Sequence, residues 1–495
     1  MSIWIFLIVS ALANSMSSIL FVNRPISSRS SFSVSLFFLR ISIISGVPGS
    51  EEDSCLVDSG VWVASKFLGI SFSREFDSGG ILFFIMNQQP YLPYVDFLPA
   101  MLSAGGFLKV AEYERFDVLI SRANGFLLAN PHLAISICES IEQSVGYNSG
   151  VSSEPMQYFE SGKHPTTYIR GLRLWLTTNT TGNPVQIGYF NWLPILEREG
   201  GFFSMAKFEP LPEMVARLNQ QFVAQPLPGR ILNVETQDFK TDGRSSNVDC
   251  DRSYWMESGK HATFFVYVLR VFYVCGPPAN ETISVIDVVP QLIKPAGFMV
   301  LPQYESFPEL MRRGADFMRT IQGRVCNVQS LNTKMSCNWN ATVLNTHSTC
   351  FHESGNVSTW YVTFLRIYSI CESGWTPPNL TERTFMPAQL TTSTMGGNTY
   401  ETHSQTMARV NAWFAALPHA PPRIVGVVTG ECLAYHQSPG ALPSALNTFT
   451  AKSGKHANLW LKYIRVFFDG GYQEPPPEAL PPPPQVVDQG CCTML

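Results

Sequence analysis

The turn Ser-Gly-Lys-His is the residue pattern in this chain with the clearest capacity for chemistry. It occurs three times, at residues 161–164, 258–261 and 453–456. Lysine and histidine side chains beside a glycine turn could hold an anion. The alternative is a solvated turn that leads into a strand, with the glycine supplying a positive φ. No phosphate-loop pattern surrounds the turn, so the second interpretation is favoured. The candidate binding residues are Lys163, His164, Lys260, His261, Lys455 and His456.

The remaining sequence contains no recognisable catalytic or metal-binding pattern. No Ser-His-Asp order or nucleophile elbow can be assembled, and the 11 cysteines include no Cys-x-x-Cys pair. The net charge of −4 and the pI of about 6.2 give no basic surface for nucleic acid. The sequence therefore predicts a non-enzymatic protein with no catalytic residue, metal or cofactor. An unknown protein or a small ligand is the expected partner.

The turn belongs to a longer motif that occurs four times. The copies begin ESGKHPTTYIRGLRLWL at Glu160, ESGKHATFFVYVLRVFYV at Glu257, ESGNVSTWYVTFLRIYSI at Glu353 and KSGKHANLWLKYIRVFFD at Lys452. Their serines are 97, 96 and 99 residues apart, a regular spacing that is too long for a solenoid repeat. Four copies of one small domain is the simplest interpretation. Each copy keeps an aromatic residue, followed five residues later by an arginine: Tyr168 and Arg173, Phe265 and Arg270, Tyr361 and Arg366, Trp460 and Arg465.

A second repeated feature precedes the motif. An aromatic-Glu pair follows a glycine-containing turn, and a helical pattern begins after it, with an arginine nine residues after the aromatic residue. The third copy also has the capping-box spacing Ser306 to Glu309. The glutamate, helix arginine and strand arginine could form a ligand-binding charge set, but a structural set of ion pairs between helix and sheet is favoured. The members are Glu114, Arg122, Arg173, Glu209, Arg217, Arg270, Glu305, Arg313, Arg366, Glu401, Arg409 and Arg465.

These patterns predict one plan for each repeat: a short strand, a helix and two further strands. The predicted fold class is α+β, with four tandem copies of a small domain, each a helix packed on a small antiparallel sheet. The predicted divisions are 1–85, a non-repeat segment; 86–184, 185–283, 284–380 and 381–471, the four repeat domains; and 472–495, a proline-rich tail. The first segment is a targeting region, a disordered arm or an incorrectly assigned start, and the last is favoured because Met86 leads directly into the first repeat.

The final residues, Cys492-Thr493-Met494-Leu495, match a prenylation box, and Cys491 could take a palmitoyl chain. This match predicts a cytoplasmic protein associated with a membrane through a lipid. Scattered cysteines, of which only Cys275 and Cys371 share a repeat position, agree with a reducing compartment.

An apolar run at residues 2–13 and five glycosylation sequons support the alternative, a secreted glycoprotein with lectin-like repeats. The sequons lie at Asn179, Asn280, Asn340, Asn356 and Asn379.

Overall fold

A computed structural model of the chain divides into two units, Met1–Gln88 and Gln89–Leu495. In the first unit the structure describes four strands. In the second it describes residues 91–488 except 106–110, 146–149, 161–165, 201–205, 243–246, 258–262, 298–299, 322, 336–343, 354–357, 373–375, 393–397, 435–443 and 454–456.

The four strands of the first unit form two antiparallel hairpins. Strand β1 (Ile5–Ser10) pairs with β2 (Ser17–Val22), and β3 (Phe32–Leu36) pairs with β4 (Leu39–Ile43).

The second unit contains four similar four-stranded sheets, which we call blades. Each blade has a long middle strand that pairs antiparallel with an outer strand of six or fewer residues on one side and a long inner strand on the other. The outer strands are β5 (Tyr94–Phe97), β11 (Ile187–Trp192), β17 (Ile283–Val288) and β23 (Leu380–Phe385). The inner strands are β8 (Leu133–Val145), β14 (Gly229–Thr241), β20 (Arg324–Lys334) and β26 (Arg423–Ala434). The middle strands are β10 (Thr166–Thr178), β16 (Thr263–Cys275), β22 (Thr359–Ile370) and β28 (Asn458–Asp469).

The fourth strand of each blade comes from the following repeat. These bridging strands are β9 (Gln157–Glu160), β15 (Tyr254–Glu257), β21 (Cys350–Glu353) and β27 (Phe449–Lys452). Strand β15 of the second repeat pairs with β10 of the first, and β21 and β27 repeat the arrangement. Strand β9 of the first repeat pairs with β28 of the fourth, so the set of blades closes into a ring. Each inner strand contacts the inner strands of both neighbours, which places these strands around a common axis.

A short two-stranded ribbon precedes the helix of each repeat. The ribbon strands are β6 (Met101–Ser103) with β7 (Glu112–Tyr113), β12 (Leu196–Arg198) with β13 (Lys207–Phe208), β18 (Leu292–Lys294) with β19 (Gln303–Tyr304), and β24 (Gln389–Thr392) with β25 (Thr399–Tyr400). Strand β29 (Val487–Asp488) of the C-terminal tail pairs parallel with β24. A 3₁₀ turn at Pro477–Ala479 interrupts the tail.

The described residues of the second unit contain four α-helices, one in each repeat: α1 (Phe116–Ala129), α2 (Leu211–Ala224), α3 (Phe307–Met318) and α4 (His403–Ala415). Each apolar stripe lies between two blades. Helix α2, for example, buries Met214 and Leu218 against the outer strand of the next repeat, β17. None of these helices has the length and apolar composition needed to cross a bilayer.

Local sequence signals account for the start of α3 and for one tight connection. The N–H of Ser306 and its hydroxyl both donate to the Glu309 carboxylate, at 2.7 and 2.9 Å, so the predicted capping box is confirmed. Gly229 and Gly323 have φ of 154° and 144° where the chain enters an inner strand. A Cβ atom at Gly229 would lie 1.9 Å from the carbonyl oxygen of Val274, so only glycine fits.

The predicted α+β fold class is wrong: the residues that the structure describes are mostly in strands, at 48%, and the repeats form a four-bladed β-propeller. The helix and the long strands were recognisable from their periodicity. The bridging strands have four residues and most ribbon strands two or three, too few for a periodic signal. Each bridging strand pairs with the middle strand of another repeat. Local sequence patterns contain no information about such pairing, so the blades could not be predicted from them.

Candidate functional site

Four side chains at equivalent repeat positions meet where the bridging strands end. They are the last residues of those strands: Glu160, Glu257, Glu353 and Lys452. The Lys452 ammonium lies 2.6 Å from a Glu160 oxygen, 2.7 Å from Glu353 and 3.5 Å from Glu257. Equivalent residues from four blades can touch one another only near the ring axis. We call this group the axial cluster.

Burial and the single lysine give the carboxyl groups different protonation behaviour. Burial raises the pKa of Glu257 to about 9 despite the Lys452 charge, and a hydrogen bond to Glu160 adds to the increase. Burial would also raise the pKa of Glu160, but Lys452 and hydrogen bonds from Glu257, Lys452 and Trp460 outweigh it and lower that pKa. At neutral pH, Glu257 is therefore protonated and shares its proton with the Glu160 carboxylate.

Stacked aromatic side chains support the axial cluster. Trp255 stacks on Tyr168 with ring centroids 4.3 Å apart, and Phe351 stacks on Phe265 at 4.8 Å. Each pair joins the middle strand of one repeat to the bridging strand of the next repeat within one blade. Two other aromatic residues of the repeated motif hold the cluster directly. The Trp460 indole N–H donates to Glu160 at 2.8 Å, and the Tyr361 hydroxyl donates to Glu353.

Three carboxyl groups with oxygens within 4.8 Å of one another form a set suited to a hard divalent cation. In this chain the Lys452 ammonium lies among them and supplies the positive charge. The cluster is thus arranged as an internal ion-pair network that holds four bridging strands together.

The Lys-His candidates Lys163, His164, Lys260, His261, Lys455 and His456 lie outside the described residues, as do Cys491 and Cys492. In sequence, each Lys-His turn begins directly after a member of the axial cluster.

The repeated charge set separates into two groups in the structure. In the first group, the helix arginine pairs with the glutamate of the aromatic-Glu pair. The Arg217 guanidinium contacts Glu209 and also donates to the Leu193 carbonyl at 2.6 Å. The same pairing joins Arg122 to Glu114, Arg313 to Glu305 and Arg409 to Glu401. These pairs hold the start of the helix to the loop after the outer strand.

The second group contains the strand arginines, which contact neither that glutamate nor the helix arginine. Arg366 makes a bidentate pair with Asp287 of its own outer strand, with both distances 2.8 Å. It also donates to the Thr236 hydroxyl of the preceding blade at 3.1 Å. The corresponding contacts to the preceding blade are Arg270 to Ser140 at 2.8 Å and, across the ring closure, Arg173 to Thr429 at 3.1 Å. Arg465 instead bonds Thr384 of its own outer strand.

A groove of about 310 Å³ opens between helix α2 and strand β17. Leu211, Val215 and Val285 form its apolar wall, with His347 at its edge. At the preceding junction, the positions of Leu211 and Val285 hold Phe116 and Tyr189, whose rings meet at 5.4 Å. The groove therefore results from two smaller side chains at one of four equivalent junctions.

The axial cluster was not predicted, although its signal is visible in the repeated motif. The first letter of the copies is Glu, Glu, Glu and Lys. One opposite charge among four equivalent positions is the pattern expected where symmetry-related side chains meet.

Comparisons with known proteins identify no relative of this chain. No protein-family model matches the chain, and neither the curated proteins nor the solved structures give a significant match. The four repeated blades indicate a repeat-based binding or scaffold protein, and this conclusion rests on the architecture alone.

Proposed function

We propose that the protein is a non-enzymatic, multivalent binding scaffold held at a cytoplasmic membrane surface by lipid on Cys491 or Cys492. The observation that carries the proposal is the use of the repeated charges. Helix arginines, strand arginines and the axial cluster all make ion pairs or hydrogen bonds within the ring. These repeated charges therefore serve to build the blades. Four similar modules on one rigid ring strengthen weak contacts through effective concentration.

Two observations support a reducing compartment over the secreted alternative. The thiols of Cys275 and Cys371 are exposed and free. The side-chain nitrogen of Asn179, the first sequon, donates to the Pro131 and Asn183 carbonyls at 2.7 and 2.6 Å. A glycan on this nitrogen would replace one of its two hydrogens and would therefore remove at least one of these hydrogen bonds.

Mass spectrometry of the protein from its native cell tests the proposal, because it reads both termini and the modification of the cysteine pair together. We expect an isoprenoid on Cys492, and no isoprenoid in the Cys492→Ser variant. Glycans on the sequon asparagines, together with cleavage after Ala13, would contradict the proposal and support a secreted glycoprotein instead. If the Cys492→Ser variant incorporates as much labelled isoprenoid as the wild type, prenylation of Cys492 is ruled out.

A further inference from the structure

We infer that the end of the ring that carries the four ribbons is a membrane-docking face, whose partner is the surface of a phospholipid bilayer. The inference deepens the proposed function and rests on it for the lipid anchor. We call this surface the ribbon face. It consists of the described parts of β6/β7, β12/β13, β18/β19 and β24/β25.

The ribbons lie at the same end of the ring as the axial cluster. Phe208 of β13 packs on Val266, in the N-terminal half of its middle strand. Tyr304 of β19 likewise clusters with Val362. The bridging strands pair with this same half of each middle strand. The helices begin beside the ribbons and end near the opposite end of the blades, where the inner strands start.

Large apolar side chains on and beside the ribbons are exposed to solvent. Leu102 and Ile293, which occupy equivalent ribbon positions, are 67% and 58% exposed. Met101 of β6 is also exposed, as are Ile195, Val300 and Leu301 beside the ribbon strands. Exposed apolar groups repeated around one end of a ring are typical of an interaction surface.

The C-terminal tail selects a bilayer as the partner of this face. Strand β29 pairs parallel with β24, so the tail runs toward the tip of the fourth ribbon. Val486 and Val487 add two exposed apolar side chains there. Cys492 is four residues beyond Asp488, so it reaches at most about 14 Å from it. A 13-residue middle strand is about 43 Å long. A lipid on Cys491 or Cys492 can therefore meet a bilayer at the ribbon face and not at the opposite end.

The chemistry of anchoring explains why the lipid on the tail and the apolar ribbon face are both needed. A single lipid chain gives only marginal, reversible membrane binding, and a second contact is required for stable attachment. The ribbon strands carry charges of both signs, including the pair Lys207 and Glu197 at 2.5 Å. Apolar insertion of the ribbons is therefore the second contact, and anionic lipid is not required.

A positional measurement tests the docking face independently of natural lipidation. The full chain, with Cys275, Cys371, Cys491 and Cys492 changed to serine, is tethered by a C-terminal hexahistidine to phosphatidylcholine vesicles containing a nickel-chelating lipid. An environment-sensitive fluorophore is placed at Leu102→Cys or Ile293→Cys. Matched controls are Leu128→Cys and Val223→Cys, which are 58% and 69% exposed at the far ends of α1 and α2. We expect a blue shift and a several-fold rise in emission at the two ribbon positions alone. Unchanged emission there, or an equal change at all four positions, would overturn the inference.

A second measurement removes the influence of the tether. Partition of the unlipidated full chain onto phosphatidylcholine vesicles is compared for Leu102→Ser/Ile293→Ser and Leu128→Ser/Val223→Ser. We expect about tenfold weaker partition for the ribbon pair, equivalent to about 1.4 kcal/mol, and no change for the other pair. Equal partition of the two pairs contradicts the docking face. Lipidation is tested separately, by mass spectrometry of Cys492. The lipid anchor and the docking face can therefore fail independently of each other.

Discussion

The axial cluster shows how a single substitution among equivalent residues can determine a structure. Four glutamates at the ring axis would repel one another, and four lysines would do the same. One lysine among three glutamates, with one of these protonated, leaves a net charge of about −1 in a largely buried space.

The protonation of Glu257 predicts an unusual dependence of stability on pH. Its pKa is about 9 in the folded protein, above the ordinary value of 4.5. Between these values the folded state holds a proton that the unfolded chain releases, so this contribution to stability falls as pH rises toward 9. Glu257→Gln keeps the neutral form and should be roughly 1–3 kcal/mol more stable than the wild type at pH 8. Denaturant unfolding from pH 5 to 9 measures the difference.

The matched control for this variant is Glu160→Gln. The pKa of Glu160 is lowered by Lys452, so its carboxylate stabilises the fold and its removal should destabilise the protein at every pH above 5. Equal effects of the two glutamine variants would contradict the assignment of the proton to Glu257.

Removal of the lysine should expose the cation preference of the three carboxyl groups. Lys452→Gln leaves buried carboxylates without a counter-charge, which costs about 3–5 kcal/mol. Because their oxygens lie within 4.8 Å of one another, we expect millimolar Ca²⁺ to restore part of the lost Tm. Calorimetry with and without Ca²⁺ provides the measurement, and the wild type is the control. An equal Ca²⁺ response of both proteins would show binding elsewhere.

At the scale of elements, the junctions between blades depend on an asparagine in the helix. The Asn219 side chain accepts from the Ile283 N–H and donates to the Ile283 carbonyl, both at 2.8 Å. Asn124 makes the same pair of bonds to Ile187, and Asn411 accepts from the Leu92 N–H across the ring closure. The equivalent residue of α3 is Ala315, which has no amide.

This difference gives a reciprocal prediction. Asn219→Ala should destabilise the ring by about 1–3 kcal/mol, because the first strand of the third repeat loses two hydrogen bonds. Ala315→Asn should add up to about 1 kcal/mol by supplying the missing amide to Leu380. Chemical denaturation of both variants tests the pair. A loss of stability in Ala315→Asn would show that the third junction is packed differently.

These elements also show how far the sequence could predict the fold. The period near 96 residues, the helix with its Ser306 capping box and the long strand after each turn are local signals, and they were readable. The inner strands are among the two further strands predicted for each repeat, but their length, 13 residues in β14, was not predicted. The bridging strands were missed because strands such as Gln157–Glu160 are recognisable only from their partners in another repeat. The axial cluster was missed for the same reason, since its members meet only when the ring is closed.

At the scale of the whole molecule, strand exchange between repeats predicts cooperative unfolding. No blade has all four strands from its own repeat, so loss of one blade removes a strand from its neighbour. We expect hydrogen exchange in denaturant to give one common opening free energy for β8, β14, β20 and β26. Independent domains would instead give separate values, and one inner strand that opens well before the others would contradict the prediction.

The pairing of β9 with β28 also determines when the ring of blades can close during synthesis on the ribosome. The partner of residues 157–160 is synthesised about 300 residues later, which takes roughly 15–60 s at ordinary elongation rates. During that interval the bridging strand of the first repeat has no native partner, and neither the stack of Tyr158 with Trp460 nor the bond from Trp460 to Glu160 exists. The nascent chain therefore carries an unpaired strand edge through most of its synthesis, and this period is when a chaperone is most needed.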